Sequence, residues 1–264
     1  MRTLAITGLF SPWGRRMARL ASQAGARVLG IDRKPMMRPF AGVEFIAADI
    51  RNPLLPRLFE QEGVDAILHC AFQWRQQPSE EVFDSNVLGA MHLLEAAAQA
   101  GVRKVVWPSS TFIYGASPDH PAFIPEEAGC RGQPHYAYVQ QLREIETFMA
   151  GFRRQYPQMI LTSLRFAHIL GEGVASPMAR YLALPAAPVL LGFDPLLQFI
   201  HAEDVTRALG HALVQDLHGA FNVAAPAPLP LLKALALAGI PPAPLPHALA
   251  SRGWAWLRRL SPDA

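Results

Sequence analysis

Two short stretches carry groups able to move a proton on or off a substrate oxygen. The first, "PSSTFIYG", places Ser109 and Ser110 at the end of an apolar run. In a buried parallel sheet, ligands bind outside the carboxyl ends of the strands. Ser110 is therefore a candidate to hydrogen-bond a substrate carbonyl or alkoxide. The second, "YAYVQQLRE", sets Tyr136 and Gln140 four residues apart, which on a helix is one face. Leu142, Ile145 and Met149 mark a separate, core-facing stripe, so Tyr136 is expected to face a cleft. A phenol near its reference pKa of ~10 is a proton donor at neutral pH and suits general-acid work. Gln140 can bond a hydroxyl but carries no charge. The three lysines, Lys34, Lys104 and Lys233, all lie elsewhere, so none is expected to depress the phenol pKa.

A second constellation lies at the N-terminal end. "AITGLFSPWGRR" follows an apolar run and opens a helical pattern, with Thr7, Gly8, Ser11 and Gly14 where a glycine-rich phosphate loop has Thr-Gly-x-x-Gly-x-x-Gly. Such a loop brings backbone N–H groups and a helix N-terminus to a pyrophosphate. The loop from Gly8 through Phe10, Ser11, Pro12 and Trp13 to Gly14 is the candidate, with Ser11 in the middle-glycine position. Asp32, in "LGIDR", comes eighteen residues after Gly14 (32 − 14), where an acid accepts from ribose hydroxyls. It also repels a 2′-phosphate, which favours NAD over NADP; Arg33 beside it softens that preference. Asp49 and Ile50, in "AADI", end a further run and are placed to meet an adenine. An ordinary strand-to-helix turn and a solvated aspartate are the bland readings of the same residues.

These groups need elements to hold them. Apolar runs at 2–7, 26–31, 43–47, 64–70, 103–107 and 159–165 alternate with helical patterns at 15–24, 80–100 and 134–152. That alternation predicts an α/β fold, a Rossmann-type doubly wound parallel sheet. Beyond about residue 170 the texture turns Pro- and Ala-rich, which predicts a small C-terminal substrate lobe. The expected division is a dinucleotide-binding domain over 1–165 and a lobe over 166–264, with 197–225 packing back on the core. "ARYLALPAAPVLLGFDPLLQ" in the lobe is apolar, with Arg180 and Arg207 the main anion candidates, so a small apolar carbonyl or alcohol is the expected substrate. Trp254, Trp256, Arg258 and Arg259 suggest a docked terminal helix.

Composition excludes several classes. The chain has 264 residues, 51% hydrophobic and only 17% charged, which speaks against disorder. Its net charge of +3 comes without a Lys/Arg run, so no nucleic-acid partner is expected. Cys70 and Cys130, the two cysteines, form neither a disulfide framework nor a metal spacing; a cytoplasmic protein without a metal is expected. No apolar run reaches ~18 residues, so no integral membrane segment is expected.

Ten motifs in order resemble the extended short-chain dehydrogenase/reductases, the NAD-dependent epimerase/dehydratase group. They include "TGLFSPWG", "GIDR", "AADI", "NVLGAMHLLEAA", "VVWPSSTFIYG", "YAYVQQLRE", "LRFAHILGEG" and "FNVAAP". The resemblance implies NAD as cofactor, Tyr136 as the proton-transfer residue with Ser110 as partner, and Gln140 where the family has Lys. It further implies cofactor-side places for Ala71, Asn86 and His168, and a homodimer through the helices at 80–100 and 134–152. An oxidoreductase on a carbonyl or alcohol is the leading expectation. The alternatives are a sugar-nucleotide epimerase/dehydratase and a non-catalytic or non-redox dinucleotide-binding protein.

Overall fold

The computed structural model describes residues 3–36, 40–73, 79–117, 119–121, 123–131 and 136–247. Trp254, Trp256, Arg258 and Arg259 lie outside the described residues. The chain divides into two compact units, Met1–Arg165 with Thr206–Asn222, and Phe166–Val205 with Val223–Ala264.

The first unit is built on strands β1 (Thr3–Thr7), β2 (Arg27–Asp32), β3 (Val43–Ala47), β4 (Ala66–His69), β5 (Lys104–Ser110) and β6 (Ile160–Phe166). Helices α1 (Pro12–Gln23), α2 (Leu55–Gln61), α3 (Glu80–Phe83), α4 (Gly89–Gln99) and α5 (Ala137–Gln155) alternate with them. In the second unit come β7 (His168–Leu170), α6 (Pro177–Tyr181), β8 (Ala187–Leu190), β9 (Leu196–Leu197) and β10 (Phe199–His201). Helix α7 (Ala202–Val214) from Thr206 onward and strand β11 (Gly219–Val223) up to Asn222 belong to the first unit, and β12 (Leu229–Pro230), α8 (Leu231–Ala238) and β13 (Pro242–Leu245) to the second.

The sheet has seven strands in the order β11-β6-β5-β4-β1-β2-β3. From β3 through β2, β1 and β4 to β5 every pairing is parallel. Every residue of β1, β4 and β6 is buried, as expected for strands covered on both faces. Strand order reverses between β1 and β4, since β2 and β3 go one way from β1 while β4 and β5 go the other. That switch point is where a crevice opens at the carboxyl ends in this topology.

Two elements depart from the simple periodic pattern. Helix α1 begins three residues earlier than its apolar pattern, at Pro12, because Ser11 caps it and proline suits the first helical turn. The segment expected as one helix over 80–100 contains a π-helical turn at Asp84–Leu88, between α3 and α4. The extra residue in that turn turns Ser85 and Asn86 inward, where both are buried.

Candidate active site

The cleft at the switch point has a volume of about 320 Å³ and is lined by residues from five segments. Gly8, Phe10 and Ser11 come from the β1–α1 turn, Asp32, Arg33 and Lys34 from the end of β2, and Ala48, Asp49 and Ile50 from the end of β3. Cys70, Ala71, Phe72 and Gln73 follow β4, and Ser85 belongs to the π-helical turn. Of the sequence candidates, Gly8, Phe10, Ser11, Asp32, Arg33, Asp49, Ile50 and Ala71 thus share one surface. Pro12, Trp13 and Gly14 form the first turn of α1 behind it.

The glycine requirement has a local cause. Gly8 has φ +70°, and a Cβ there would sit 2.5 Å from Ala71 N. A Cβ on Gly14 would sit 2.3 Å from Gly8 O. The turn therefore closes backbone to backbone against the segment after β4. Ser11 has φ −65° and ψ 157°, which any residue adopts, so the middle position needs no glycine. Its Oγ instead accepts the Gly14 N–H at 3.0 Å. Burial pushes the neighbouring Cys70 thiol up to about 12, partly offset by the Ser11 hydroxyl.

Asp32 accepts from Phe10 N at 3.0 Å and from Lys34 N at 3.2 Å. Asp49 pairs with Arg51 at 2.9 Å and more loosely with Arg33 at 3.7 Å. Bonding to Arg51 holds the Asp49 carboxyl below the usual range despite partial burial. Asn86 is fully buried and does not line the cleft. Its Oδ1 accepts from Gln73 N and its Nδ2 donates to Gln73 O, both at 2.8 Å, so it fixes the backbone of a cleft residue. The same Nδ2 donates to Gln141 Oε1 at 2.8 Å.

The tyrosine that lies beside Ser110 is Tyr138, whereas Tyr136 lies outside that contact. Tyr136 precedes α5 with its side chain 47% exposed. Gln140 is exposed too, in a separate shallow hollow with Ser79, Glu80, Phe83, Ala137 and Gln141. Two positions along a helix turn a side chain by about 200°. Tyr138 therefore joins the inward stripe of Leu142, Ile145 and Met149, at spacings of four, three and four. Its hydroxyl lies close enough to the Ser110 hydroxyl to interact with it. Phe72, a cleft residue, meets the Tyr138 ring edge-on at 5.5 Å, and Phe112 does so at 6.3 Å. Burial pushes the Tyr138 phenol up to about 12, with the Ser110 hydroxyl the opposing influence. Ser110 also accepts from Phe112 N at 3.3 Å, which caps the 3₁₀ turn Thr111–Tyr114.

His168 lies in the second unit, on β7, paired with Phe199 of β10 and with its ring 5.9 Å from that phenylalanine. Burial lowers its pKa, so it is a neutral imidazole at pH 7. His201 Nδ1 accepts from Glu203 N at 3.3 Å, an N-terminal cap on α7. No described helix is long and apolar enough to cross a membrane.

The sequence profile of the NAD dependent epimerase/dehydratase family matches residues 4–224. An uncharacterized protein of Mycobacterium tuberculosis is 33% identical over 228 residues, which span 83% of this chain and 61% of that protein. The uronate dehydrogenase of Pseudomonas syringae pv. tomato is 28% identical over 153 residues, 58% of this chain and 51% of the enzyme. Among solved structures, the UDP-glucose 4-epimerase of Thermus thermophilus in complex with NAD is 25% identical. It has a TM-score of 0.72 and covers 92% of this chain and 86% of its own. The Bordetella bronchiseptica enzyme WbmH, solved with NAD+, shares the fold at a TM-score of 0.77 and 18% identity, over 93% of this chain and 86% of its own.

Proposed function

For a chain that belongs to the NAD dependent epimerase/dehydratase family, we propose the reduction of a carbonyl on a small apolar substrate, with NADH preferred to NADPH and Tyr138 as the acid. The observation that carries this reading is the adjacency of the Ser110 and Tyr138 hydroxyls at the carboxyl end of β5, with Phe72 and Phe112 packed edge-on against the Tyr138 ring.

The residues present suit a dinucleotide. Ser11 and the first turn of α1 offer hydroxyl and amide donors to a pyrophosphate. Asp32 keeps lone pairs for ribose hydroxyls beyond its two backbone bonds, and Asp49 with Ile50 borders the adenine end. Bound NADH supplies the hydride. Ser110 orients the carbonyl oxygen, and Tyr138 delivers the proton that this oxygen needs as it becomes an alcohol; solvent then reprotonates the phenolate. Counted from Tyr138, the fourth residue on, where the family carries lysine, is Leu142, which is apolar and 2% exposed. At pH 7 a phenol of pKa about 12 is ionised only about one part in 10⁵. Alcohol oxidation, the opening step of an epimerase, needs the phenolate as base; carbonyl reduction needs the phenol.

The same observation favours a second reading, a dinucleotide-binding protein without turnover. Titration of the purified full chain with NADH and NADPH, followed by a panel of apolar ketones and aldehydes, separates the two. Turnover that falls about 10²- to 10⁴-fold in Tyr138→Phe and persists in Tyr136→Phe supports the reductase. Tight NADH binding with no turnover supports the binder, and failure to bind either nucleotide overturns both.

A further inference from the structure

One buried ion pair touches both elements that carry the hydroxyl pair. Glu146 lies on α5, two turns after Tyr138, and is 4% exposed; Arg165, near the end of β6, is 6% exposed. Arg165 Nη2 donates to Glu146 Oε2 at 2.9 Å and Nε to Oε1 at 3.3 Å, while Ser163 Oγ donates to Oε1 at 2.6 Å. Ser109 Oγ meets no partner in full hydrogen-bond geometry, yet lies close enough to help hold the Glu146 carboxyl low.

The other side of the guanidinium points toward the turn after β5. Arg165 Nη1 donates to Tyr114 Oη at 2.6 Å and to Glu126 O at 2.8 Å. Tyr114 in turn donates to Asn222 Oδ1 at 2.7 Å. The 3₁₀ turn that Ser110 caps is thus bracketed: Ser109 on one side faces Glu146, and Tyr114 on the other is held by Arg165. Since Glu146 rides on the helix that carries Tyr138, the pair links the Ser110 turn to the Tyr138 helix.

Stability alone is a weak reason for such a pair, because desolvation offsets much of the attraction between buried charges. We propose that Glu146 and Arg165 are positioning residues that set the register of Ser110 against Tyr138. This rests on reading the hydroxyl pair as the acid site.

The test is the full-length double variant Glu146→Leu/Arg165→Met, which removes both charges while keeping apolar bulk. All five tyrosines are labelled as 3-fluorotyrosine, and the Tyr138 fluorine resonance is assigned with Tyr138→Phe. The expected result is a folded double variant whose Tyr138 resonance has moved. Its kcat in NADH-dependent reduction should be roughly ten- to a hundredfold lower, with the NADH Kd unchanged. A folded double variant with the Tyr138 resonance at its wild-type position overturns the proposal. Absence of turnover in the wild type bears on the reductase reading alone, and the resonance then decides. Should the double variant not fold, Tyr114→Phe removes the hydroxyl that Arg165 and Asn222 share while leaving the ion pair intact, and is read by the same resonance.

Discussion

Asp32 Oδ2 accepts the backbone N–H of Phe10 at 3.0 Å, so the acid at the end of β2 fastens the turn at the end of β1. The carboxylate that would discriminate between nucleotides is also a brace of the loop that would hold their phosphates. Asp32→Asn keeps an oxygen acceptor for Phe10 but loses the charge. We expect the NADH Kd to rise at least tenfold, equivalent to ~1.4 kcal/mol, with the NADPH Kd unchanged or lower. Calorimetric titration with both nucleotides checks this, and equal losses for the two would contradict a charge-based preference.

Ser11 in the middle-glycine position makes a contrast with its neighbours. Ser11→Ala removes the cap on Gly14 N and should lower stability by about 1 kcal/mol, whereas Ser11→Gly should cost only a few tenths. Gly8→Ala and Gly14→Ala should be far more damaging, because the new methyl groups meet backbone at 2.5 Å and 2.3 Å and Gly8 sits at φ +70°. Urea midpoints of the four variants should fall into two well-separated groups. A Gly14→Ala variant as stable as Ser11→Gly would show that the turn can open.

The doubly wound parallel sheet, and the convergence of its strand ends on one cleft, were legible from local pattern. Short apolar runs ending in Gly8, Asp32, Asp49 and Ala71 fall at strand ends, and strand ends in a doubly wound sheet converge. Which tyrosine lies beside Ser110 was not legible in the same way. Tyr136 and Tyr138 are two residues apart, and only the rotation of α5 decides which one turns inward. Extending the Leu142–Ile145–Met149 stripe backward by four would have selected Tyr138. The partners of Asn86, Gln73 and Gln141, were not legible either, because the π-helical turn that directs it to them is announced by no apolar periodicity.

His69 gives the fold a sensitivity to acid. It is 2% exposed, its Nδ1 lies 2.6 Å from Thr7 Oγ1, and its ring stacks on Trp107 at 4.8 Å. Burial lowers its pKa to about 3, from 6.5 when exposed. Between those values the unfolded chain binds a proton that the folded chain refuses. The stability this histidine confers is therefore complete above pH 6.5 and declines as pH falls toward 3, by up to about 1.4 kcal/mol per unit. In His69→Gln the dependence of urea-unfolding free energy on pH between 6.5 and 4.5 should be visibly flatter. An unchanged slope would mean that other groups carry the acid sensitivity.

Lys104 is fully buried, and its ammonium closes the end of α7. Nζ donates to Ala212 O and Leu213 O at 3.2 Å each and to Gln215 O at 2.6 Å, and lies 2.9 Å from Asp216 Oδ1. The last carbonyls of a helix have no partner within it, so this side chain from β5 supplies donors that α7 lacks. Lys104→Met retains an apolar stem of similar length and leaves those carbonyls without their donor. It should lower stability by about 2–4 kcal/mol, seen as a lower urea midpoint with an unchanged m-value. Asp216 titrates separately. Hydrogen bonds from Arg103 and Lys104 depress its pKa from 3.8 to about 2, so its contribution is complete above pH 4 and is lost as pH falls through 2. Because the Asp216 carboxylate is 58% exposed, Asp216→Asn at pH 7 should be much milder than Lys104→Met. Equal losses in the two variants would shift the main role of Lys104 from capping α7 to pairing with Asp216.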